Sequence, residues 1–386
     1  MAVPSPLFLP LLNVPSDSED LRMQVGNLMF FQNHPWLPMT DAEVYINELQ
    51  VADMTEALGF DSIWCTEHHF TDYLLSPNII EFLAYMAGRT TKLKLGTAAV
   101  ILPWHKDPMR VATDFALLDN LSQGRALAGF GRGLAQVEYD GFGIPMEESR
   151  GRMNEAAEMV LQGLNTGFME GNGKYFKQER REIRPRPLRS FEDRTYVVSM
   201  SPDTVPHAAR LGGALMTFAI GPWEKRKPDI DAWRELYEQN WNRKAPPSVA
   251  NVIAYCDTDA SRAHDTAHKY MAGYWNTATA HYEMKGDHFA GKGGGQYDHY
   301  AKSAEAMRHI GDEGMGKMFT NCQVYGTPDQ ILQQIKGIED LVGDIDVNVT
   351  FSYSGLPYDQ AKKSMQLFGE KVLPVLKNGW AERKAG

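Results

Sequence analysis

Residues 40–69 read TDAEVYINELQVADMTEALGFDSIWCTEHH, and they contain the structural unit that decides the fold. Thr40, with Glu43 three residues later, forms a capping box at the start of a helix, and Gly59 marks the end of that helix. The run SIWC that follows is short and apolar, as a buried strand is. The stretch therefore predicts a helix that leads into a buried strand, with the polar letters EHH at the end of the strand.

The same alternation of apolar strands and amphipathic helices continues along the chain. LRMQVGNLMFF precedes the quoted unit, and LKLGTAAVIL, ALAGFGRG, TYVVSM, ALMTFAI, VANVIAYC and DIDVNVTFS follow it. Near-continuous apolar strands that alternate with helices indicate a parallel sheet covered by helices. About eight such units favour an α/β fold of the (β/α)8 TIM-barrel type, with insertions, over an open doubly wound sheet.

Domain organisation follows from where this rhythm is interrupted. Residues 1–20 are a Pro-rich N-terminal leader, and 21–386 are predicted to form a single barrel domain. A basic, Pro-containing segment near 174–194 and a glycine-rich segment near 286–302 do not fit the alternation. Long irregular segments inside a compact domain are commonly lids or binding loops. We therefore expect an insertion at the first segment and a lid loop at the second.

Composition excludes several classes of protein. The net charge of −10 disfavours nucleic-acid binding, which depends on Lys and Arg. No apolar run reaches the roughly 18 residues that span a bilayer, and the N-terminus lacks a signal peptide's basic region and cleavage site. Cys65, Cys256 and Cys322 have no C-x-x-C spacing, so neither a disulfide framework nor a zinc motif is predicted. We expect a cytoplasmic protein without nucleic-acid or membrane partners.

Glu67, His68 and His69 lie where the second strand ends, and in a barrel the carboxyl ends of the strands line the active site. Imidazole titrates near neutral pH, so a histidine there can donate a hydrogen bond or shuttle a proton. A strand-end histidine held by hydrogen bonds explains the stretch equally well. No metal site is predicted, because adjacent histidines on a strand point to opposite faces. His264 and His268 have i, i+4 spacing but lack the Glu of H-E-x-x-H.

Two further strand ends carry residues suited to a phosphate. The GFGRG turn at 129–133 is not a G-x-G-x-x-G fingerprint, and Leu134 begins no convincing helix, but Arg132 could grip a phosphate through two hydrogen bonds. In SPDT, Ser201 as a cap with Pro in the first turn fixes a helix N-terminus, which attracts phosphate. An ordinary tight turn and simple capping are the alternatives, although two such features in one barrel favour phosphate binding.

These motifs, in this order, resemble bacterial luciferase, particularly its alpha subunit, and the wider luciferase-like flavin monooxygenases. The similarity is dense from EHHFTD through LGTAAVILP, DFALLDNLSQGRALAGFGRGL and YDGFGIPMEESR. It recurs at YGTPDQ and MQLFGEKVLPVLK and covers nearly the whole chain beyond the leader. The resemblance implies a (β/α)8 barrel, and a homodimer that pairs through the helices after the early strands.

The resemblance also implies roles for individual residues. His68 matches the histidine that luciferase needs for its chemistry, His69 matches its neighbour, and Glu67 is a supporting candidate. Ala98-Ala99 matches a pair joined by a non-proline cis peptide beneath the flavin ring. The other residues expected to contact FMN are Leu134 near the ring and Arg132, Arg150, Ser201 and Thr204 at the phosphate.

Three departures from luciferase change the pocket near the ring. Gly131 stands where luciferase has a reactive cysteine, Ala135 replaces a tyrosine, and Met200 replaces a glutamate. Pocket volume and polarity must therefore differ from those of luciferase. Neither light emission nor a long-chain aldehyde substrate is implied.

The function implied by the resemblance is that of a two-component, FMN-dependent monooxygenase. Reduced FMN from a separate flavin reductase would react with dioxygen to give a flavin hydroperoxide, which hydroxylates or inserts oxygen into a small organic substrate. A deazaflavin-dependent oxidoreductase is one alternative, because relatives on this barrel use that cofactor. A non-catalytic flavin-binding protein is another.

Overall fold

The computed structural model describes residues 22–34, 36–37, 39–289 and 297–380. The leader at 1–20 and the glycine-rich centre of the expected lid loop, 290–296, lie outside the described residues.

Eight parallel strands close into a barrel. The strands in the described residues are β1 (Val25–Met29), β2 (Ser62–Cys65), β3 (Lys94–Thr97), β4 (Val100–Ile101), β5 (Ala126–Gly131), β6 (Phe168–Asn172), β7 (Lys177–Glu182), β8 (Thr195–Val198), β9 (Ala214–Phe218), β10 (Ser248–Cys256), β11 (Val324–Gly326) and β12 (Ile345–Thr350). Strands β1, β2, β3, β5, β8, β9, β10 and β12 pair in that order, and β12 pairs with β1. The predicted TIM barrel is confirmed.

Helices follow the barrel strands and cover the outside of the sheet. In the described residues they are α1 (Asp41–Ala57), α2 (Ile79–Arg89), α3 (Pro108–Leu121), α4 (Gln136–Phe142), α5 (Ser149–Thr166), α6 (Val205–Leu211), α7 (Lys227–Trp241), α8 (Ala260–His281), α9 (Asp298–Thr320), α10 (Pro328–Val342), α11 (Tyr358–Lys371) and α12 (Leu373–Lys377). None of these helices is long and apolar enough to cross a membrane.

Helix α1 begins and ends as its sequence predicts. The Thr40 hydroxyl accepts a hydrogen bond from the backbone N–H of Glu43, and the Glu43 carboxylate accepts one from the backbone N–H of Thr40 at 2.7 Å. Gly59 adopts φ +88° just past the helix, a conformation that side chains with a Cβ rarely adopt. Local sequence therefore fixes both ends of this helix.

The two irregular segments take different forms. The first contains β7, which pairs antiparallel with β6 as a hairpin separate from the barrel sheet. Part of the expected lid loop is helical, because α9 already begins at Asp298. Gly311, at φ 78° and ψ 167°, interrupts α9 with a non-helical kink. The end of the segment expected to be a lid loop is therefore the first turn of α9, and the lid role stays a prediction.

A tryptophan fills the barrel interior where two strands carry glycine. A Cβ at Gly96 would lie 2.2 Å from the Trp64 ring, and one at Gly26 would lie 2.7 Å from it. The indole N–H donates to the Ser62 hydroxyl at 2.7 Å, which satisfies the one polar atom of this side chain. The three cysteines are buried and free. The Trp64 ring therefore occupies the space that the two glycines leave free.

A buried ion pair fixes the end of α3 to the segment that enters β8. Arg194 Nη1 lies 2.5 Å from Asp119 Oδ1, with both side chains almost fully buried. Arg194 also donates to the carbonyls of Gly124 and Ala126, and Asp119 accepts from the backbone N–H of Leu188. Removing one member of such a pair leaves the other charge buried without compensation.

We predict that Asp119→Asn lowers the free energy of unfolding by about 3–5 kcal/mol, because the Arg194 charge loses its counter-charge. Urea unfolding followed by circular dichroism measures the effect. Asp359→Asn on α11 is the matched control, since Asp359 pairs with exposed Lys363 at 3.6 Å and its loss should cost about 0–1 kcal/mol. Equal effects of the two substitutions would contradict the role given to the buried pair.

Candidate active site

A cavity of about 430 Å³ opens at the carboxyl ends of the barrel strands. Its walls come from the segments that follow β1, β2, β3, β5, β8 and β9, and from α8 and α9. This is the face of a TIM barrel on which active sites are built. Among the residues expected to form a site, those that line the cavity are Glu67, His68, Ala98, Ala99, Arg132, Leu134 and Thr204. The others, His69, Arg150 and Ser201, are not among the residues that line it.

His68 is held at the cavity wall by a carboxylate that the sequence did not reveal. Its Nδ1 lies 3.1 Å from Glu138 Oε1, on α4, and its Nε2 lies 3.3 Å from the Tyr282 hydroxyl, just after α8. The ring of Tyr73 packs against it edge to face, with centroids 5.0 Å apart. Three separate parts of the chain therefore fix the orientation of one imidazole.

Glu67 fastens the EHH stretch to the segment that follows β3. Its carboxylate accepts from the backbone N–H of Ile101 at 2.9 Å, from Trp104 Nε1 at 2.7 Å, and pairs with His69 Nε2 at 3.0 Å. Burial alone would raise the pKa of Glu67, but hydrogen bonds with His105 and His69 outweigh it and lower that pKa to about 2. Glu67 is thus a buried anion that positions its neighbours, and His69 turns towards it.

The Ala98-Ala99 peptide is cis, as the resemblance implied, and lines the cavity floor. Gly131, at the end of β5, lies beside it. A Cβ at Gly131 would come within 2.7 Å of Ile101 Cδ1 and 3.3 Å of the Ala99 Cβ. The floor is therefore made of the smallest side chains and is flat, and any side chain at position 131 would crowd it.

Arg132 lines one end of the cavity, and Arg150 lies near it outside the lining. Arg132 is 9% exposed, its Nη1 has no hydrogen-bond partner among the described residues, and its guanidinium stacks over the Tyr297 ring at 4.8 Å. Arg150 hydrogen-bonds the Asp203 carboxylate at 3.2 Å, and burial followed by the charge of Arg132 lowers the pKa of Arg150. A buried cationic donor without a partner is suited to an anionic ligand.

Two hydroxyl groups lie near these arginines. Ser201 precedes a short 3-10 helix, Pro202–Thr204, which leads into α6, but its side chain makes no capping hydrogen bond. Its Oγ lies instead 3.4 Å from the Thr204 hydroxyl. Ser201 is therefore the N-cap residue with Pro202 in the first turn, as expected, but its hydroxyl does not make the capping hydrogen bond. Both hydroxyls are buried.

Comparison with known proteins places this geometry in a family. A family model described as luciferase-like monooxygenase matches residues 23–344. The chain belongs to the luciferase-like monooxygenase family.

Relatives of this luciferase-like monooxygenase match it over most of their length. The alkanal monooxygenase alpha chain of Photorhabdus luminescens is 27% identical over 359 residues, which are 92% of this chain and 98% of that relative. The monooxygenase RslO1 from Streptomyces bottropensis superposes with a TM-score of 0.76 at 24% identity, over 91% of this chain and 99% of that one.

Two other solved structures share the fold, and one is a complex with FMN while the other is of an enzyme that depends on coenzyme F420. The oxygenating constituent of 3,6-diketocamphane monooxygenase from Pseudomonas putida, a type II Baeyer-Villiger monooxygenase in complex with FMN, has a TM-score of 0.70 at 18% identity, over 92% of this chain and 98% of that one. The coenzyme F420-dependent tetrahydromethanopterin reductase from Methanopyrus kandleri has a TM-score of 0.63 at 18% identity, over 92% and 99%.

Glu138 is the site residue that sequence reasoning missed in this luciferase-like monooxygenase. Its Oε1 accepts from the backbone N–H of His69 at 2.8 Å and lies 3.6 Å from His281 Nε2. Burial alone would raise the pKa of Glu138, but the charge of His68 and a hydrogen bond with His281 lower it to about 2. The only sequence signal is an acidic residue in the first turn of a helix that follows a strand end.

The fold also brings together potential metal ligands that are far apart in the chain. Among the described residues, the ligand atoms of His68, Glu138 and His281 lie within 4.8 Å of one another. The Glu138 oxygen already takes part in hydrogen bonds with His68 and the His69 backbone. We interpret the group as a hydrogen-bonded network, and the absence of a metal stays a prediction.

We predict that Glu138→Gln lowers the pKa of His281. Burial already lowers that pKa, and the Glu138 carboxylate opposes the effect by stabilising the imidazolium. Without the carboxylate the pKa must fall further, which an NMR titration of selectively labelled histidines measures, with His281→Gln to assign the resonance. Asp140→Asn, an exposed change on the same helix, is the control. An unchanged His281 titration in Glu138→Gln would disprove the coupling.

Proposed function

We propose that this luciferase-like monooxygenase is the oxygenating component of a two-component enzyme. It would take reduced FMN from a separate flavin reductase and use dioxygen to hydroxylate, or insert oxygen into, a small organic substrate. The main support is that Arg132, a buried cation with an unpaired donor, and His68, a buried histidine held by a carboxylate, line the same cavity.

The cationic end fits the phosphate of FMN. The guanidinium group of Arg132 can donate two parallel hydrogen bonds to phosphate oxygens, a geometry that a lysine cannot match. Arg150, whose Nη1 and Nη2 donate to Asp203, would add positive charge nearby. The hydroxyls of Ser201 and Thr204 add neutral donors at the same end. A phosphate oxygen is a stronger acceptor for this buried cationic donor than a neutral oxygen is, which favours a phosphate.

The floor of the cavity fits a flat ring. Ala98, Ala99 and Gly131 present only small side chains or none, and Leu134 adds an apolar surface beside them. A planar ring system buries its face best against such a surface. We therefore expect the flavin ring above the Ala98-Ala99 peptide, with Leu134 in contact with it.

His68 would accept a proton from the reacting oxygen or donate one to it. When bound, reduced FMN would supply the electrons and the activation of dioxygen. An ionised carboxylate accepts hydrogen bonds only, so Glu138 fixes the proton of His68 on Nδ1. Nε2 is then left to accept or pass on a proton towards the cavity, where the Tyr282 hydroxyl now contacts it at 3.3 Å. Tyr73 and Tyr282 help to exclude water from this corner.

A deazaflavin-dependent oxidoreductase is the second candidate. Its support is the fold shared with the coenzyme F420-dependent reductase from Methanopyrus kandleri. Equilibrium binding separates the two, because the deazaflavin enzyme must bind its own cofactor more tightly than reduced FMN. A non-catalytic flavin-binding protein is disfavoured, since all eight barrel strands are present.

The exposed apolar surface of α2 and α3 supports a homodimer. Tyr85, Leu117 and Leu121 are 49%, 48% and 55% exposed on these two neighbouring helices. Exposed apolar clusters of this kind mark association surfaces. We propose that two copies of the chain pair through this face.

We predict that Arg132→Met weakens the binding of reduced FMN roughly ten- to a hundredfold, because charge-assisted hydrogen bonds to phosphate contribute about 1.5–3 kcal/mol. Anaerobic titration followed by absorbance measures the dissociation constant. Arg181→Met, at an exposed position of the β6–β7 hairpin, is the control and should change nothing. Equal affinities of wild type and Arg132→Met for reduced FMN would show that the phosphate does not bind at Arg132.

We predict that His68→Gln changes the rate at which bound reduced FMN is reoxidised, without changing the affinity of the protein for FMN. The protein loaded with photoreduced FMN is mixed with air-saturated buffer in a stopped-flow instrument. Wild type should return to oxidised flavin in more than one phase, and the slow phase should change at least tenfold in the variant, because the proton route is lost. His264→Gln, an exposed histidine on α8, should behave as wild type. Single-phase reoxidation in the wild type would argue against the monooxygenase reaction.

We predict that the double variant Leu117→Lys with Leu121→Lys is monomeric, while wild type is dimeric. Two added charges on the proposed contact would have to be buried without partners. Light scattering after size-exclusion chromatography gives the mass directly. Ile46→Lys, at an exposed position on α1, is the control for adding charge elsewhere. A double variant that stays dimeric would exclude this face.

A further inference from the structure

The cavity face of α9 changes from polar to apolar along its length. The residues of its first part that line the cavity are His299, Tyr300, Ser303, Ala306, Met307 and Ile310. They are spaced three or four apart, or adjacent, so they share one face of the helix. At 1.5 Å of rise per residue, His299 and Ile310 are separated by roughly 16 Å along the axis. The cavity is therefore polar at one end and apolar at the other.

The polar end is continuous with the arginines that we assign to phosphate. His299 lies within electrostatic range of Arg226, Asp229 and Asp203. Arg226 pairs with Asp229 at 3.5 Å, and Asp203 is the partner of Arg150. The charged side chains thus form one connected group at the start of α9.

The apolar end is formed by a set of packed rings and thioethers, here called the aromatic wall. Its rings are close to parallel: Tyr274 packs against Phe30 with centroids 5.2 Å apart and planes 12° apart, and Trp275 packs against Phe319 at 5.2 Å and 29°. The six residues of the aromatic wall are Phe30, Tyr274, Trp275, Met315, Met318 and Phe319, and all of them line the cavity.

The aromatic wall lies next to the histidine at the centre of the site. The Tyr274 hydroxyl is 2.6 Å from that of Tyr73, whose ring packs against His68. A molecule on the wall would therefore lie close to His68. No residue of the wall carries a charge.

We propose that the aromatic wall binds the organic substrate, and that this substrate is an uncharged molecule with fused aromatic rings. The proposal rests on the monooxygenase function above. Aromatic faces and methionine sulfur give favourable contacts to ring systems. A carboxylate or sulfonate would lose its hydration there without a counter-charge. A flexible alkyl chain would lose more conformational freedom than a rigid ring on binding the same surface.

Calorimetry on the cofactor-free protein tests the class of ligand. The probes are 2-naphthol, 1-decanol and decanoate, which have the same number of carbon atoms and differ in shape and charge. We expect 2-naphthol to bind at least tenfold more tightly than either linear probe. Equal or tighter binding of 1-decanol or decanoate would overturn the proposal.

A pair of neighbouring substitutions tests the location. Met318→Gln places an amide on the aromatic wall and should weaken 2-naphthol binding about tenfold. Lys317→Gln, the adjacent exposed residue on α9, should leave it unchanged. Thermal unfolding of both variants reports whether they are folded. Unchanged 2-naphthol affinity in a folded Met318→Gln variant would show that 2-naphthol does not bind on the aromatic wall.

A binding experiment with the cofactor present tests whether the aromatic wall and the FMN site are separate. With reduced FMN bound anaerobically, 2-naphthol should still bind, because the two ligands occupy different ends of the cavity. Competition between them would overturn the proposal, because it would show that the flavin occupies the aromatic wall. If the wild type does not bind FMN, the proposed monooxygenase function is wrong. The relative affinities of the three probes and the Met318→Gln comparison would still decide what the aromatic wall binds.

Discussion

Closure of the barrel through the pairing of β12 with β1 is the constraint on which the site depends. Parallel strands that close on themselves bring all their carboxyl ends to one rim, whatever their distance along the chain. Residues that follow β2, β3, β5 and β8 therefore meet around one cavity. The residues proposed to bind phosphate, the Ala98-Ala99 peptide and His68 belong to different βα units, and no single segment contains the site.

Two buried carboxylates organise this rim. Glu67 ties the end of β2 to the segment after the cis peptide, and Glu138 ties α4 to His68 and to the end of α8. Burial penalises both charges, and in each case histidines and neighbouring N–H groups outweigh the penalty. Because each carboxylate holds more than one element, the rim gains a fixed geometry in the place where strands end and loops begin.

Sequence predicted what local patterns determine and missed what tertiary contacts determine. The capping box at Thr40 and the alternation of strands and helices are local, and the structure confirms them. Helix α4 was not foreseen because its seven residues begin two positions after Leu134 and have no side-chain cap. The partnership of Glu138 with His281 joins two distant helices, so no pattern within either helix could reveal it. The resemblance supplied the expected flavin contacts, which spacing alone left ambiguous.

A crystal structure of the protein soaked with FMN tests the central claim most directly. The account predicts the phosphate within hydrogen-bond distance of Arg132 and of the Ser201 or Thr204 hydroxyl. It also predicts the ring over the Ala98-Ala99 peptide, with its edge towards His68. A phosphate bound elsewhere, or a ring stacked on Tyr274 and Trp275, would contradict it.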